Sequence, residues 1–217
     1  MDTDALIASL VSDLKPVRRL RPPAIRLVTW LAVALPVMAM VVLSMGLRPD
    51  LTEKFTDPNF LGQELAAVAT AVVAGWVAVG AGVPGIPRRL LLIPAAPLAL
   101  WIATLGHQCI EEWLRLGLDG MEFHPDPKCI PGLILVGAAP AIAMAVMIRS
   151  GAQFQATAAI FWGTLAAASL AAAGLRLFHA EDAALMVVVW QFGSVVLFTT
   201  VLTLVQRALG PTLVHAA

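Results

Sequence analysis

Charged side chains are scarce in this chain of 217 residues. Only 13% are Asp, Glu, Lys or Arg, against about 25% in an ordinary soluble domain. Hydrophobic residues make up 59%, and the mean hydropathy is +0.86. This composition excludes a soluble globular protein and predicts an integral membrane protein that contacts the lipid bilayer. There are only two cysteines, which excludes a dense disulfide framework and allows at most one internal bridge.

Motifs of catalysis and coupled transport are missing as well. The sequence has no phosphate-cradling glycine loop, no HExxH pair and no Ser/His/Asp array. Transporters and pumps usually carry acids, lysines or histidines at mid-membrane depth, whereas the apolar runs here offer only Gln191, serines and threonines. We therefore expect neither an enzyme nor an ion-coupled transporter, and no resident cofactor.

Six apolar runs predict an all-α integral membrane protein with six transmembrane helices, because a helix needs about 20 apolar residues to cross a bilayer. Pro94 and Pro97 predict either a kink or a tilted, partly sheltered helix in the third run. Runs two, four and five are rich in Gly and Ala, which let helices pack closely and predict a compact bundle. The runs are Leu27–Gly46, Leu65–Val83, Leu90–Leu105, Ile130–Ile148, Ala156–Leu175 and Ala183–Val205.

The charge distribution predicts the orientation, because cytoplasmic flanks are enriched in Lys and Arg. A cytoplasmic N-terminus and six spans place the C-terminus in the cytoplasm too. Residues 1–26 then form a cytoplasmic N-terminal segment, residues 27–207 the membrane domain and residues 208–217 a short tail. Nine of the 14 basic residues fall on the cytoplasmic side: Lys15, Arg18, Arg19, Arg21, Arg26, Arg88, Arg89, Arg149 and Arg207.

The N-terminal segment combines a short amphipathic helix with a basic cluster. The pattern predicts a helix over Asp4–Lys15 that Pro16 ends, with apolar residues along one face. A free helix this short is marginal in water, so the stripe is either a partner-binding surface or the apolar side of an ordinary basic flank. The stripe consists of Leu6, Ile7, Leu10, Val11 and Leu14.

Reactive side chains gather on the predicted outer side, where both cysteines fall between runs three and four. Cys109 and Cys129 are open to four interpretations. They form a disulfide, a switchable thiol pair or two ligands of a metal site with His107 and His124, or they are two unlinked cysteines. Further along, His179, Glu181 and Asp182 form either a metal or proton site or a solvated loop before the sixth helix.

The chain resembles the NrsF-type proteins, a family of six-span membrane anti-sigma factors described as negative regulators of sigma F. Three segments carry the resemblance in order: TDALIASLVSDLKPVRRL, KCIPGLILVGAAP and FHAEDAALMVVVWQFG. It implies a protein of the bacterial inner membrane that binds an extracytoplasmic-function sigma factor. Release would follow an outer signal, such as metal or oxidative stress sensed at cysteines. No direct contact with nucleic acid is implied.

The resemblance also assigns roles to residues. It makes the N-terminal stripe the sigma-binding element and Cys129 a sensing cysteine. A second family cysteine corresponds to Ala180 here, so Cys109 would have to substitute for it. Sensing by heavy metal would give a transient ligand set of Cys109, Cys129, His107, His124 and His179. The competing hypotheses are a small membrane carrier or channel with a metal- or thiol-binding outer loop, and a purely structural membrane subunit.

Overall fold

The computed structural model describes residues 3–12, 20–117, 129–151 and 155–179, together with Gly193, Leu197, Thr200 and Leu204. Helices account for all regular structure in this part of the chain. They are α1 (Thr3–Ser12), α2 (Pro23–Met45), α3 (Leu51–Lys54), α4 (Pro58–Gly80), a 3-10 helix (Arg88–Leu92), α5 (Ala95–Leu116), α6 (Cys129–Arg149) and α7 (Ala156–Arg176).

Four stretches of the described chain are long and apolar enough to cross a membrane: Pro23–Met45, Pro58–Gly80, Arg88–Arg115 and Ala156–Arg176. The segment Ile134–Arg149 of α6 is a shorter apolar helix. The sixth predicted run, over residues 183–205, lies almost wholly outside the described residues. The all-helical prediction is therefore confirmed for the described chain, whereas the count of six spans and the cytoplasmic termini stay predictions.

The bundle is organised around α4 and α7, which form the most extensive helix pair. Small residues line their contact, and Ala71, Ala74, Ala166 and Ala171 are almost completely buried. Gly163 of α7 packs directly against α6, because a Cβ there would lie 2.7 Å from Ile148 Cδ1. The compact packing predicted from the Ala and Gly content is thus what the structure has.

Two tryptophans fix the outer helices to this pair. Trp30 of α2 is fully buried in the main core, and its Nε1 donates to the carbonyl of Pro140 in α6 at 2.9 Å. Trp101 of α5 is buried in a second cluster beside Ala66 and Ala172. Buried indole N–H groups need an acceptor, so the Trp30 bond fixes the register of α2 on α6 as well as filling space.

The structure corrects a predicted kink and two predicted helix limits. The prolines of the third run do not kink a helix: Pro94 caps α5 and Pro97 lies in its first turn, where the missing N–H costs nothing. The predicted end at Leu105 is also wrong, because α5 continues as an amphipathic helix to Leu116. At the first run, α2 begins at Pro23 rather than Leu27, which places Arg26 inside the helix.

Side-chain contacts define two opposite ends of the bundle. Arg26 reaches the last turns of α4 and α6, so the start of α2 lies at that end, called here the Arg26 end. Arg48, after α2, meets Leu177 and His179, after α7, at the Arg176 end. Because α6 finishes at the Arg26 end and has 21 residues, its first residue, Cys129, lies at the other end, about 30 Å away.

Candidate functional site

The N-terminal helix α1 presents an apolar stripe that the described bundle does not cover. Leu6, Ile7 and Val11 are 44%, 54% and 59% exposed. The predicted helix is confirmed over Thr3–Ser12. Nothing is described of the Leu10 side chain, and Leu14 and Pro16 lie outside the described residues. Three aliphatic side chains exposed on one short helix form a surface that a protein partner can bury.

Arg26 joins the start of α2 to two neighbouring helices. Its Nη1 donates to the carbonyl of Val79 at 2.7 Å, and its Nη2 donates to the carbonyl of Met147. Both carbonyls belong to the last turn of a helix, where backbone acceptors lack intrahelical partners and the dipole favours a cation. The side chain is 6% exposed. A single guanidinium therefore fixes the chain that leaves α1 to the ends of α4 and α6.

At the opposite end Arg48 closes the turn after α2 onto the end of α7. Its Nε and Nη2 donate to the two oxygens of Asp50 at 2.7 Å, and its Nη1 donates to the carbonyl of His179 at 3.3 Å. The backbone N–H of Arg48 donates to the carbonyl of Leu177 at 3.1 Å. The hydrogen bonds from Arg48 lower the pKa of Asp50 to about 2, so this carboxylate stays ionised at any ordinary pH.

A buried ion pair connects α4 and α7 beside this turn. Arg176 Nη1 lies 3.3 Å from Glu64 Oε1, and the side chains are 7% and 11% exposed. The Arg176 guanidinium also lies 4.5 Å from the centre of the Phe60 ring. Directly before Glu64 in the chain, Gln63 Nε2 donates to Gln108 Oε1 at 2.6 Å and links α4 to α5. Three helices are thus tied together by polar contacts at the Arg176 end.

This network is the part of the site that the sequence analysis missed. The second apolar run begins at Leu65 and the fifth ends at Leu175, so Glu64 and Arg176 lie just outside the predicted spans. Both lie within helices that are long enough to cross a membrane. The helices extend past the apolar runs, so these two ionisable side chains lie within them, near their ends. An acid one residue before an apolar run, and a base one residue after another, were the available signal.

The predicted sensing residues are placed differently from the prediction. His107 and Cys109 lie on α5 and not in a loop, because that helix extends to Leu116. His107 Nδ1 is 3.5 Å from Glu111 Oε2, and Cys109 is half-buried. Cys129 begins α6, and His179 follows the end of α7. His124 and Ala180–Asp182 lie outside the described residues. Among the residues that are described, no three His, Cys, Asp or Glu side chains form a metal-binding group.

These features define a class: a helical bundle whose described part has four apolar stretches long enough to span a membrane, a short helix with exposed aliphatic side chains and a buried polar network at the Arg176 end. The family model described as "NrsF: Negative regulator of sigma F" matches residues 10–214. The chain belongs to this family of negative regulators, whose partner is a sigma factor. Residues 3–9, most of α1, precede the matched range. No curated protein and no solved structure matches the chain.

Proposed function

We propose that this protein is an inner-membrane anti-sigma factor that holds an extracytoplasmic-function sigma factor through α1 and releases it on a signal at the Arg176 end. Family membership supports the regulatory role, and the four long apolar helices support the membrane location. The proposal assigns the chain no catalytic activity, no resident cofactor and no direct contact with nucleic acid.

The exposed stripe on α1 is the single observation that carries the proposed mode of binding. Burial against a partner would stabilise the complex by about 1.5–3 kcal/mol for each fully buried side chain of Leu6, Ile7 and Val11. A helix that inserts its apolar face into a groove is a recurrent mode of recognition. The neighbouring cations, Lys15 to Arg21, place such a complex at an anionic cytoplasmic surface. Leu10 and Leu14 extend the same stripe in the proposal.

The proposed signal enters through Cys109 and Cys129, by oxidation or by transient binding of a heavy metal with His107, His124 and His179. The residue next to Cys109, Gln108, is hydrogen-bonded to Gln63 of α4. From there α4 runs the length of the bundle to Val79, whose carbonyl binds Arg26. A displacement of α4 therefore has a continuous packed route to the first turn of α2, which carries α1.

The energy scale of such a switch is modest. Moving a complex from 99% bound to 99% free takes about 5.5 kcal/mol of differential affinity. Closing a loop of roughly twenty residues with one disulfide contributes about 3 kcal/mol, and thiolate–metal bonds contribute more. One covalent or metal event at this end is thus of the required order.

The binding mode is tested by co-expressing the full-length protein with an extracytoplasmic-function sigma factor and co-purifying the two. The test variant is Leu6→Asp/Ile7→Asp/Val11→Asp, and the control is Ser9→Asp, which adds charge to the opposite side of α1. We expect the triple variant to lose the sigma factor and the control to retain it. Equal recovery with both would exclude the α1 stripe as the binding surface.

The sensing step is tested separately with a transcriptional reporter of the same sigma factor. Replacing both cysteines by serine is expected to abolish the response to cadmium or to an oxidant while leaving repression intact. A normal response in the double variant would exclude thiol sensing and leave the binding proposal standing.

A further inference from the structure

A polar pocket of about 280 Å³ opens at the Arg176 end, between the start of α4, the last turns of α5 and the end of α7. This volume is close to the lower limit of pockets that hold small molecules. Its wall carries three cations, Lys54, Arg115 and Arg176, and two carboxylates, Asp57 and Glu111. The pocket is distinct from the α1 stripe and from the cysteines.

The two carboxylates are engaged with groups of their own chain. Asp57 caps α4, and its Oδ1 accepts a hydrogen bond from the Asn59 N–H at 2.9 Å. Glu111 lies 3.5 Å from the ring nitrogen of His107, one helical turn before it. Asp57 thus already accepts a hydrogen bond from its own helix, and Glu111 lies beside the imidazole of His107.

The cations are arranged differently. Arg176 is 6% exposed, and its guanidinium carbon lies 4.5 Å from the centre of the Phe60 ring. Arg115, in the last turn of α5, is exposed and makes no hydrogen bond or ion pair to any residue in the described ranges. A buried guanidinium and an exposed one thus line the same pocket, together with the amide side chains of Asn59 and Gln108.

We propose that this pocket binds a small oxyanion, with Arg115 and Arg176 as its principal ligands and Lys54 as an additional charge. Guanidinium groups suit carboxylate and phosphate oxygens because two parallel N–H donors match two acceptors. The lining holds three cations and two carboxylates, and a third carboxylate, Glu64, lies 3.3 Å from Arg176, so a bound anion would use the Arg115 and Arg176 donors in exchange for part of that ion pair. Recognition at this site requires no sigma factor, so it stands or falls independently of the proposed function.

Occupation of the pocket has a structural consequence for the helix pair at the centre of the bundle. Glu64 Oε1 lies 3.3 Å from Arg176 Nη1. An oxyanion in the pocket competes with Glu64 for the same guanidinium. Binding therefore weakens the ion pair between α4 and α7 and provides a second, thiol-independent way to alter the bundle.

The same chemistry is available from a soluble anion and from a lipid phosphate, and two arms of one experiment distinguish them. The full-length protein is placed in nanodiscs of neutral phosphatidylcholine, and sodium phosphate is titrated at constant ionic strength while tryptophan fluorescence reports the thermal midpoint. In the second arm the discs contain phosphatidylglycerol and no phosphate is added. Each arm uses wild type, Arg115→Gln and, as a matched control at the Arg26 end, Arg89→Gln.

We expect a saturable shift of the midpoint in one arm, which identifies the source. Removal of one charged hydrogen-bond donor is expected to weaken the response by about tenfold or more in Arg115→Gln and to leave Arg89→Gln unchanged. The variant changes an exposed side chain, so its folding is not at issue, and its fluorescence spectrum without ligand should match wild type. No shift in either arm, or equal shifts in both variants, would overturn the proposal.

Discussion

The ion pair between Glu64 and Arg176 yields the most quantitative prediction for this bundle. Both side chains are at least about nine-tenths buried, at the interface of the two helices that pack most extensively. Removing one partner of a buried pair leaves an uncompensated charge and costs about 3–5 kcal/mol. Replacing both partners by apolar residues of similar size avoids that charge and is neutral or stabilising.

We therefore expect Glu64→Leu to lower the thermal midpoint by about 6–20 °C, since 1 kcal/mol corresponds to roughly 2–4 °C in a chain of this size. Glu64→Leu/Arg176→Met should recover to the wild-type midpoint or above it. Glu53→Gln, an exposed acid on α3, serves as the control and should change the midpoint by no more than about 2 °C.

The assay is tryptophan fluorescence of detergent-solubilised protein, heated at one fixed rate because membrane proteins often unfold irreversibly. Trp101 packs beside Ala66 and Ala67, which follow Glu64 by two and three residues, and its fluorescence reports on this end of the bundle. If the single variant melts with the control, or if the double variant is as unstable as the single one, the pair does not stabilise the contact between α4 and α7.

Three further predictions concern other parts of the bundle. Gly174→Ala should destabilise the protein by about 1–3 kcal/mol, because the added Cβ would lie 2.7 Å from the sulfur of Met38; in Gly106→Ala, where nothing lies within 4 Å, the higher helix propensity of alanine should raise the midpoint slightly. The folded pKa of Asp50 is lowered to about 2, so the stabilising effect of this carboxylate is present above its ordinary pKa and disappears as the pH falls toward 2. The thermal midpoints of wild type and Asp50→Asn should therefore differ at pH 6 and converge near pH 2. A difference in midpoint that does not depend on pH would contradict this prediction. Arg26→Lys should lose one of two charge-assisted hydrogen bonds, each worth about 1.5–3 kcal/mol. The control is Arg149→Lys, which changes an exposed arginine at the end of α6 and should melt at a higher temperature. Equal thermal midpoints would show that Arg26 does not join the helices.

The helical class and the close packing were predictable because they follow from composition. Long apolar runs can only be helices in a bilayer, and the Ala and Gly residues of runs two, four and five allow close contact. Helix limits were less predictable where polar residues continue a helix. The end of α5, with His107 and Glu111 on its surface, reads as a loop if apolar character alone defines the helix.

The polar contacts could not be predicted because they join residues that are distant along the chain. Arg26 lies 53 residues from Val79 and 121 from Met147, and no pattern in one sequence pairs them. Arg176 likewise reaches back to Glu64, across three intervening helices of the chain. Periodicity places a residue on a face of its own helix, whereas the partner depends on how the helices are arranged.

The proposed mechanism requires that α1 and the polar end of the bundle lie on opposite sides of the membrane. The most direct test is to label single cysteines introduced at two exposed positions, Ser9 of α1 and Leu114 of α5, in a Cys109→Ser/Cys129→Ser background. When spheroplasts are treated with a membrane-impermeant maleimide, the Leu114→Cys variant should be labelled at once. The Ser9→Cys variant should be labelled only after the spheroplasts are lysed. Labelling of both positions from the same side would contradict it.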